Sequence, residues 1–102
     1  MDLRPGSPIS LAIVGAGGRG WDYAAFALRH PEQARVVAVA EPREYHRRRM
    51  AQAHATPGES TFCDWRELAG RPRLADAVII ATPDRLRAEP ALAFARAGSA
   101  DV

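Results

Sequence analysis

Three apolar runs of strand length lie along this 102-residue chain. They cover residues 9–15 (ISLAIVG), 34–41 (ARVVAVAE) and 75–83 (ADAVIIATP). All three are rich in valine, isoleucine or alanine, and they lack the alternation of apolar and polar side chains that a half-exposed strand shows. Such runs are typical of parallel strands covered on both faces, so helices are expected between them.

The segments between the runs carry helix signals. Trp21, Ala24, Ala25 and Leu28 have the spacing of one helix face, and Pro31 should end that helix. A second helix is expected from Pro42 to about Ala55, with Pro42 at its first position. The final helix should bury one set of apolar residues and end at Gly98; that set is Leu86, Pro90, Ala93, Phe94 and Ala97.

A shorter unit lies before the third run. Residues 60–63 (STFC) have the composition of a short strand. Asp64, followed three residues later by Glu67, predicts a capping box and a brief helix through Ala69, with Gly70 as its stop.

These elements predict an α/β fold in which strands and helices alternate. Right-handed crossovers then favour a doubly wound, Rossmann-like parallel sheet with strand order 3-2-1-4. Residues 1–8 are expected to form an N-terminal tail, and residues 9–102 one small, incomplete domain. The last four residues look like the approach to a further strand that does not develop.

Glycines cluster where the first run meets the first helix. Gly15, Gly17 and Gly20 match G-x-G-x-x-G, a motif that is weak alone but informative between a strand and a helix. The first glycine would allow a tight turn, the second a close approach of backbone to a diphosphate, and the third close helix–strand packing. The motif predicts a dinucleotide site, and the alternative is an ordinary tight turn.

A carboxylate follows at the expected distance. Glu41 ends the second run, about twenty residues beyond Gly20, where such a residue accepts hydrogen bonds from an adenosine ribose. Glu41 favours NAD, whereas Arg43 and Arg47 suit the 2′-phosphate of NADP. NAD is slightly preferred, and the run of arginines at 47–49 is also typical of a solvated helix face.

Composition excludes several other classes. With 47% hydrophobic and 25% charged residues and no long apolar run, the chain resembles a globular protein without a membrane partner. Residues 1–10 lack a signal-peptide core, so a cytoplasmic location is expected. The sequence pI is about 9.3 and all fourteen basic residues are arginine, but no nucleic-acid recognition motif accompanies them.

No metal or catalytic residue stands out. His30, His46 and His54 show no metal-ligand spacing with the single cysteine, Cys63. The chain contains no lysine, so any lysine-dependent proton transfer needs a residue from elsewhere. The two tryptophans, Trp21 and Trp65, are expected in the core rather than in a base-stacking platform.

Several segments together resemble a known family. LAIVGAGGRG, VVAVAEP, CDWREL and above all ADAVIIATPDRLRAEPALAFARAG are similar to the N-terminal domain of the glucose-fructose oxidoreductase and inositol dehydrogenase family (Gfo/Idh/MocA). The resemblance covers roughly residues 9–98. It implies a Rossmann domain that binds NAD or NADP, followed by a domain that completes a sugar or cyclitol site.

The resemblance also implies which residues meet the cofactor. Carried over position by position, the diphosphate would meet Gly15, Gly17, Gly18, Arg19 and Gly20. The adenosine ribose would meet Glu41 and Arg43. The end of the third long run, Ala81, Thr82 and Pro83, would lie beside the cofactor at the switch point of the sheet.

Two departures from the family limit the activity expected of this chain. Arg85 and Arg87 stand where the family commonly has histidines, and arginine does not shuttle protons near neutral pH. The Glu-Lys-Pro motif of the next strand would lie beyond Val102. We therefore expect a truncated, self-associating domain without turnover of its own. The alternatives are a non-catalytic dinucleotide-binding module that acts with a partner chain and a remnant of a truncated gene.

Overall fold

A parallel sheet with helices on both faces forms the framework of the protein. The computed structural model describes residues 8–71, 74–82, 88–96 and 100–101. The strands are β1 (Ile9–Val14), β2 (Ala34–Ala40), β3 (Thr61–Phe62), β4 (Ala77–Ile80) and β5 (Ala100–Asp101). The helices are α1 (Gly18–Arg29), α2 (Glu44–Ala53), α3 (Trp65–Ala69) and α4 (Ala88–Arg96), and a 3₁₀ turn covers Gly58–Ser60.

The sheet has the order β3-β2-β1-β4-β5, and all of its neighbouring strands are parallel. The predicted α/β class and the 3-2-1-4 order are confirmed. The prediction that no further strand develops was wrong, because Ala100 and Asp101 pair with Ala77 and Val78 to form β5. Two residues are too few to form a strand by propensity alone, and backbone pairing with β4 stabilises them as one.

Each face of the sheet buries its own apolar cluster. Side chains of β1 alternate between the faces, with Leu11 and Ile13 on one and Ala12 and Val14 on the other. The first cluster includes Ala24 and Ala27 of α1 and Met50 of α2. The second includes Phe62, Leu68 of α3 and Phe94 of α4. The apolar runs are therefore buried on both sides, as their composition predicts.

An irregular register joins β1 to β2. Leu11 pairs with Val36 and Ala12 pairs with Ala38, so Val37 is an extra residue in β2. Without this residue, the side chains at the end of β2 would point to the opposite face of the sheet. The register shift therefore decides which way the residues leading to Glu41 point.

The helix ends mostly follow the predicted signals. Helix α1 ends at Arg29, just before Pro31, and the Gly70 N–H donates to the Arg66 carbonyl at the end of α3. The Asp64 side chain caps α3 by accepting from the Arg66 N–H at 2.9 Å. That donor is not the Glu67 N–H that a capping box predicts. The predicted contributions of Leu86, Ala97 and Gly98 to the last helix lie outside the described residues.

The predicted start of the second helix at Pro42 was wrong. Helix α2 begins at Glu44, because Arg43 has an extended backbone (φ −81°, ψ 116°). The cause is a local hydrogen bond: the Arg43 N–H donates to the Glu41 side chain at 2.8 Å. That bond holds the two residues before the helix out of a helical conformation.

Candidate functional site

A cleft of about 770 Å³ opens where β1, β2 and β4 end. Strand β1 lies between β2 and β4, so the sheet grows toward β2 on one side of β1 and toward β4 on the other. Ligands of open α/β sheets bind at the carboxyl ends of the strands where the strand order reverses in this way. The lining includes every predicted cofactor-binding residue that the structure describes except Gly20. These are Gly15, Gly17, Gly18, Arg19, Glu41, Arg43, Ala81 and Thr82; Pro83 lies outside the described residues.

Gly15 makes the tight turn out of β1. Its φ of +95° is a conformation that side-chain-bearing residues rarely adopt. A Cβ here would also lie 3.1 Å from the Ala81 carbonyl and 3.2 Å from the Thr82 nitrogen. The turn is therefore packed directly against the end of β4, and the predicted role of the first glycine in the motif agrees with this geometry.

Gly20 holds α1 close to the strand end from which the helix departs. A Cβ at this position would collide with the Gly15 carbonyl oxygen and lie 3.4 Å from the Ala81 side chain. Close helix–strand packing is the role predicted for the third glycine. Gly20 itself is buried on the side of α1 that faces the strands, and it does not line the cleft.

Gly17 and Gly18 form the open edge of the turn. Gly17 is the N-cap of α1 and offers no side-chain oxygen to the first N–H groups of the helix. Around Gly18, no atom lies within 4 Å of an added Cβ. The positive end of the α1 dipole therefore adjoins the cleft with open space at Gly18, an arrangement that suits phosphate oxygens.

Glu41 is a buried carboxylate at the end of β2, with 2% of its surface exposed. Its Oε1 accepts the Ala16 N–H at 2.9 Å and Nη2 of Arg43 at 3.0 Å. Its Oε2 accepts the Arg43 backbone N–H at 2.8 Å and Nε of Arg43 at 3.1 Å. Burial raises the pKa of Glu41, but these hydrogen bonds and the Arg43 charge outweigh it and hold the pKa below its ordinary value.

Arg43 lies beside the glycine turn. An added Cβ on Gly17 would be 2.9 Å from its Nη2 atom, and 58% of the Arg43 side chain is exposed. Its bonds to Glu41 raise the pKa of the guanidinium, which stays protonated. The Glu41–Arg43 pair therefore links the end of β2 to the glycine turn.

The arginines at 47–49 have separate roles. Arg47 donates to the Glu41 carbonyl oxygen at 2.9 Å and supports the β2–α2 connection. Arg48 pairs with Glu44 at 2.9 Å on the exposed side of α2, and the Arg49 guanidinium lies 3.9 Å from the Trp21 ring centre. The solvated-face interpretation fits Arg48 best. None of the three lines the cleft.

One wall of the cleft was not predicted from the sequence. Four residues that follow β3 line it: Cys63, Asp64, Trp65 and Arg66. Trp65 packs on Phe94 in the core, with ring centres 6.2 Å apart, and Arg66 lies over its ring at 4.6 Å. Trp65 therefore serves both core and cleft. The available signal was the position of this segment after β3, at the sheet edge where all the parallel strands end.

The histidines lie away from this cleft. Burial lowers the pKa of His54, and His30 lies 3.6 Å from Glu32 on the surface. Within the described residues, no three histidine, cysteine or acidic side chains converge as metal ligands. Among the helices of the described ranges, none is long and apolar enough to cross a bilayer.

Solved structures of dehydrogenases share this fold. The WlbA dehydrogenase of Bordetella pertussis, solved with NADH and UDP-GlcNAcA, is 21% identical, with a TM-score of 0.81 over 93% of this chain and 28% of that one. The myo-inositol dehydrogenase of Lactobacillus casei, solved with NAD(H) and myo-inositol, is 16% identical, with a TM-score of 0.81 over 93% and 27% of the two chains.

A 3-ketoreductase of Actinomadura kijaniata, solved with TDP-benzene and NADP, is 25% identical, with a TM-score of 0.77 over 93% and 29% of the two chains. This chain therefore spans less than a third of the length of these structures. No curated protein matched the sequence.

The family comparison covers almost the whole chain. Residues 9–102 match the Gfo/Idh/MocA oxidoreductase family, NAD-binding Rossmann fold. That range contains the glycine turn, Glu41 and the whole described sheet. The fold, the switch-point cleft and this match agree with the resemblance seen in the sequence, and the chain belongs to the Gfo/Idh/MocA oxidoreductase family as its NAD-binding Rossmann domain.

Proposed function

We propose that this chain binds NAD or NADP in the cleft above β1 and serves as the cofactor-binding part of a sugar- or cyclitol-type oxidoreductase. The observation that carries the proposal is the glycine turn. Gly15 has a backbone conformation that suits glycine, and Gly18 leaves open space beside the N-terminus of α1. This cradle fits a diphosphate, because the backbone N–H groups and the helix dipole face open space at Gly18, and the side chain beside Gly17 is the movable guanidinium of Arg43.

Each part of the cleft has a proposed share in binding. Gly17, Gly18 and Arg19 would hold the diphosphate, and Glu41 with Arg43 would meet the adenosine ribose. Ala81 and Thr82, at the end of β4, would lie beside the rest of the cofactor. A bound nicotinamide dinucleotide would supply or accept a hydride, and the protein would bind and orient it.

NAD is the slightly preferred cofactor in this proposal. Glu41 lies at the end of β2, where an acidic residue recognises ribose hydroxyl groups. Its pKa lies below the ordinary value in spite of burial, so the carboxylate is charged at neutral pH, and that charge repels a 2′-phosphate. Arg43 opposes this preference, because its guanidinium is a good partner for phosphate.

Turnover is proposed to require residues outside this chain. The lining of the cleft, within the described residues, contains no lysine or histidine to move a proton near neutral pH. The solved relatives are more than three times as long as the part that this chain covers. A further domain or a partner chain would then complete the substrate site, and a cytoplasmic location stays a prediction.

Thermal unfolding of the chain with NAD, NADH, NADP or NADPH tests the proposal. A ligand that binds only the folded state at one hundred times its Kd adds about 2.7 kcal/mol of stability. For a domain of this size, that gain raises Tm by roughly 10 °C or more. Gly17→Trp should abolish the shift by filling the cradle. Gly58→Trp is the control, because Gly58 also has open space around it but lies away from the cleft.

The controls make the outcome decisive. Both tryptophan variants should melt cooperatively, since the nearest obstacle at Gly17 is the movable end of Arg43. A wild-type chain that melts cooperatively and shifts with none of the four dinucleotides would contradict the proposal. So would a shift that survives in Gly17→Trp.

We also propose that the isolated chain self-associates. Tyr23 and Phe26 lie one helical turn apart on α1 and are 49% and 41% exposed. Sedimentation velocity should show a molecular mass that rises with concentration, and Phe26→Ser should weaken this dependence. Leu92→Ser is the control, because Leu92 is also exposed but lies on α4. A monomer at every concentration would contradict the prediction.

A further inference from the structure

The Glu41 carboxylate is saturated with hydrogen bonds. Its two oxygens accept four N–H donors at 2.8 to 3.1 Å. A carboxylate has about four lone-pair positions, so none is left for a further donor. A ribose hydroxyl group that binds Glu41 must therefore replace one of the present donors.

The four donors differ in how readily they can leave. Two are backbone N–H groups, of Ala16 and Arg43, and the bond from Ala16 is buried. They cannot withdraw unless the glycine turn or the β2–α2 connection moves. The other two belong to the Arg43 guanidinium, which is 58% exposed and sits on a flexible side chain. A guanidinium of this exposure stays solvated when it leaves. The Glu41 side chain is only 3% exposed, so its carboxylate needs replacement donors once the guanidinium is gone.

We infer that the Arg43 guanidinium is an exchangeable placeholder in the ribose subsite: it fills two acceptor positions of Glu41, and the ribose hydroxyl groups of NAD must displace it from them. This inference rests on the proposed dinucleotide binding. In the structure, the guanidinium supplies two N–H donors to Glu41 and lies beside Gly17. A ribose with free 2′- and 3′-hydroxyl groups also supplies two donors. Its two hydroxyl groups replace the two guanidinium hydrogen bonds to Glu41, while the backbone donors of Ala16 and Arg43 keep the carboxylate in position.

A 2′-phosphate cannot make this exchange. It has no hydroxyl donor at the 2′ position, and its negative charge is repelled by Glu41. NADP therefore needs Arg43 near the subsite, where the guanidinium can bind the phosphate with charge-assisted hydrogen bonds. Arg43 thus hinders NAD, which must displace it, and supports NADP, which must retain it.

Dissociation constants of Arg43→Leu for NAD and NADP, measured by calorimetry, test this inference. Leucine removes all guanidinium donors and keeps an apolar stem. NAD should bind as tightly as to the wild type or more tightly, and NADP should bind more weakly. The ratio of the two constants should change by roughly tenfold to a hundredfold, the range of a lost charge-assisted hydrogen bond. Arg48→Leu is the matched control, since Arg48 is exposed and paired with Glu44 outside the cleft.

The possible results separate the inference from the function on which it rests. Equal changes in both constants, or a shift of the ratio toward NADP, would overturn the placeholder role and leave dinucleotide binding intact. A wild-type chain that binds neither dinucleotide would overturn both. A shift toward NAD in Arg43→Leu alone, absent from Arg48→Leu, would support the inference.

A spectroscopic measurement on the wild-type chain covers the case in which Arg43→Leu fails to fold. The Nε–H resonance of Arg43, assigned by its loss in Arg43→Lys, should be protected from exchange with water in the free chain because it donates to Glu41. Saturation with NAD should remove this protection, and saturation with NADP should move the resonance without exposing it. A resonance that stays protected and unshifted in the NAD-saturated chain would overturn the inference.

Discussion

Gly20→Ala is expected to lower the free energy of unfolding by about 3 kcal/mol, or to prevent folding outright. A single added methyl group would collide with the Gly15 carbonyl oxygen, which belongs to the backbone and cannot rotate away. Helix α1 would have to move off the end of β1, which is the central strand of the sheet. Denaturant unfolding followed by circular dichroism would measure the loss.

Gly18→Ala is the matched control for this experiment. It adds the same methyl group two residues earlier, where no atom lies within 4 Å. Its free energy of unfolding should differ from that of the wild type by less than about 1 kcal/mol, the range of helix propensity. Equal losses in the two variants would show that α1 does not depend on close contact at Gly20.

Glu41→Ala is expected to cost about 2–3 kcal/mol of stability. The substitution leaves the buried Ala16 N–H and the Arg43 N–H without their acceptor. The guanidinium contributes less to this loss, because its exposure lets water replace the carboxylate. Glu59→Ala, on the exposed 3₁₀ turn, is the control and should change stability by less than about 0.5 kcal/mol.

The same carboxylate makes stability depend on pH. The pKa of Glu41 is lower in the folded state, so its contribution is complete above the ordinary glutamate pKa of about 4.3 and is lost as pH falls through the folded-state pKa. The difference in unfolding free energy between wild type and Glu41→Gln should therefore be largest at neutral pH. It should shrink below about pH 4. A difference that stays constant from pH 7 to pH 3 would show that the Glu41 charge is not stabilised by folding.

Local sequence patterns predicted the buried strands and several of the helix ends. The apolar runs have no polar alternation, and their side chains pack on both faces of a parallel sheet. Helix ends that depend on nearby residues, such as that of α1 before Pro31, were also predictable. The start of α2 was not, because the hydrogen bond between the Arg43 N–H and the Glu41 side chain competes with helical geometry there.

Part of the candidate site was predictable from the sequence, and part was not. Gly15 and Gly20 act through contacts that the motif itself implies, since the turn and the helix follow one another in the chain. The wall formed by Cys63, Trp65 and Arg66 has no such motif, and it joins the cleft only because β3 ends at the same sheet edge as β1 and β2.

Local sequence was enough to predict the strand–helix alternation, the glycine turn and the acidic residue that follows β2, because each depends on neighbours within a few residues. It did not predict the extra residue at Val37, the pairing of β5 or the saturation of Glu41 by Ala16 and Arg43. Strand register, edge pairing and the filling of a carboxylate's acceptor positions depend on atoms brought together across the sheet, and no local propensity encodes those distances.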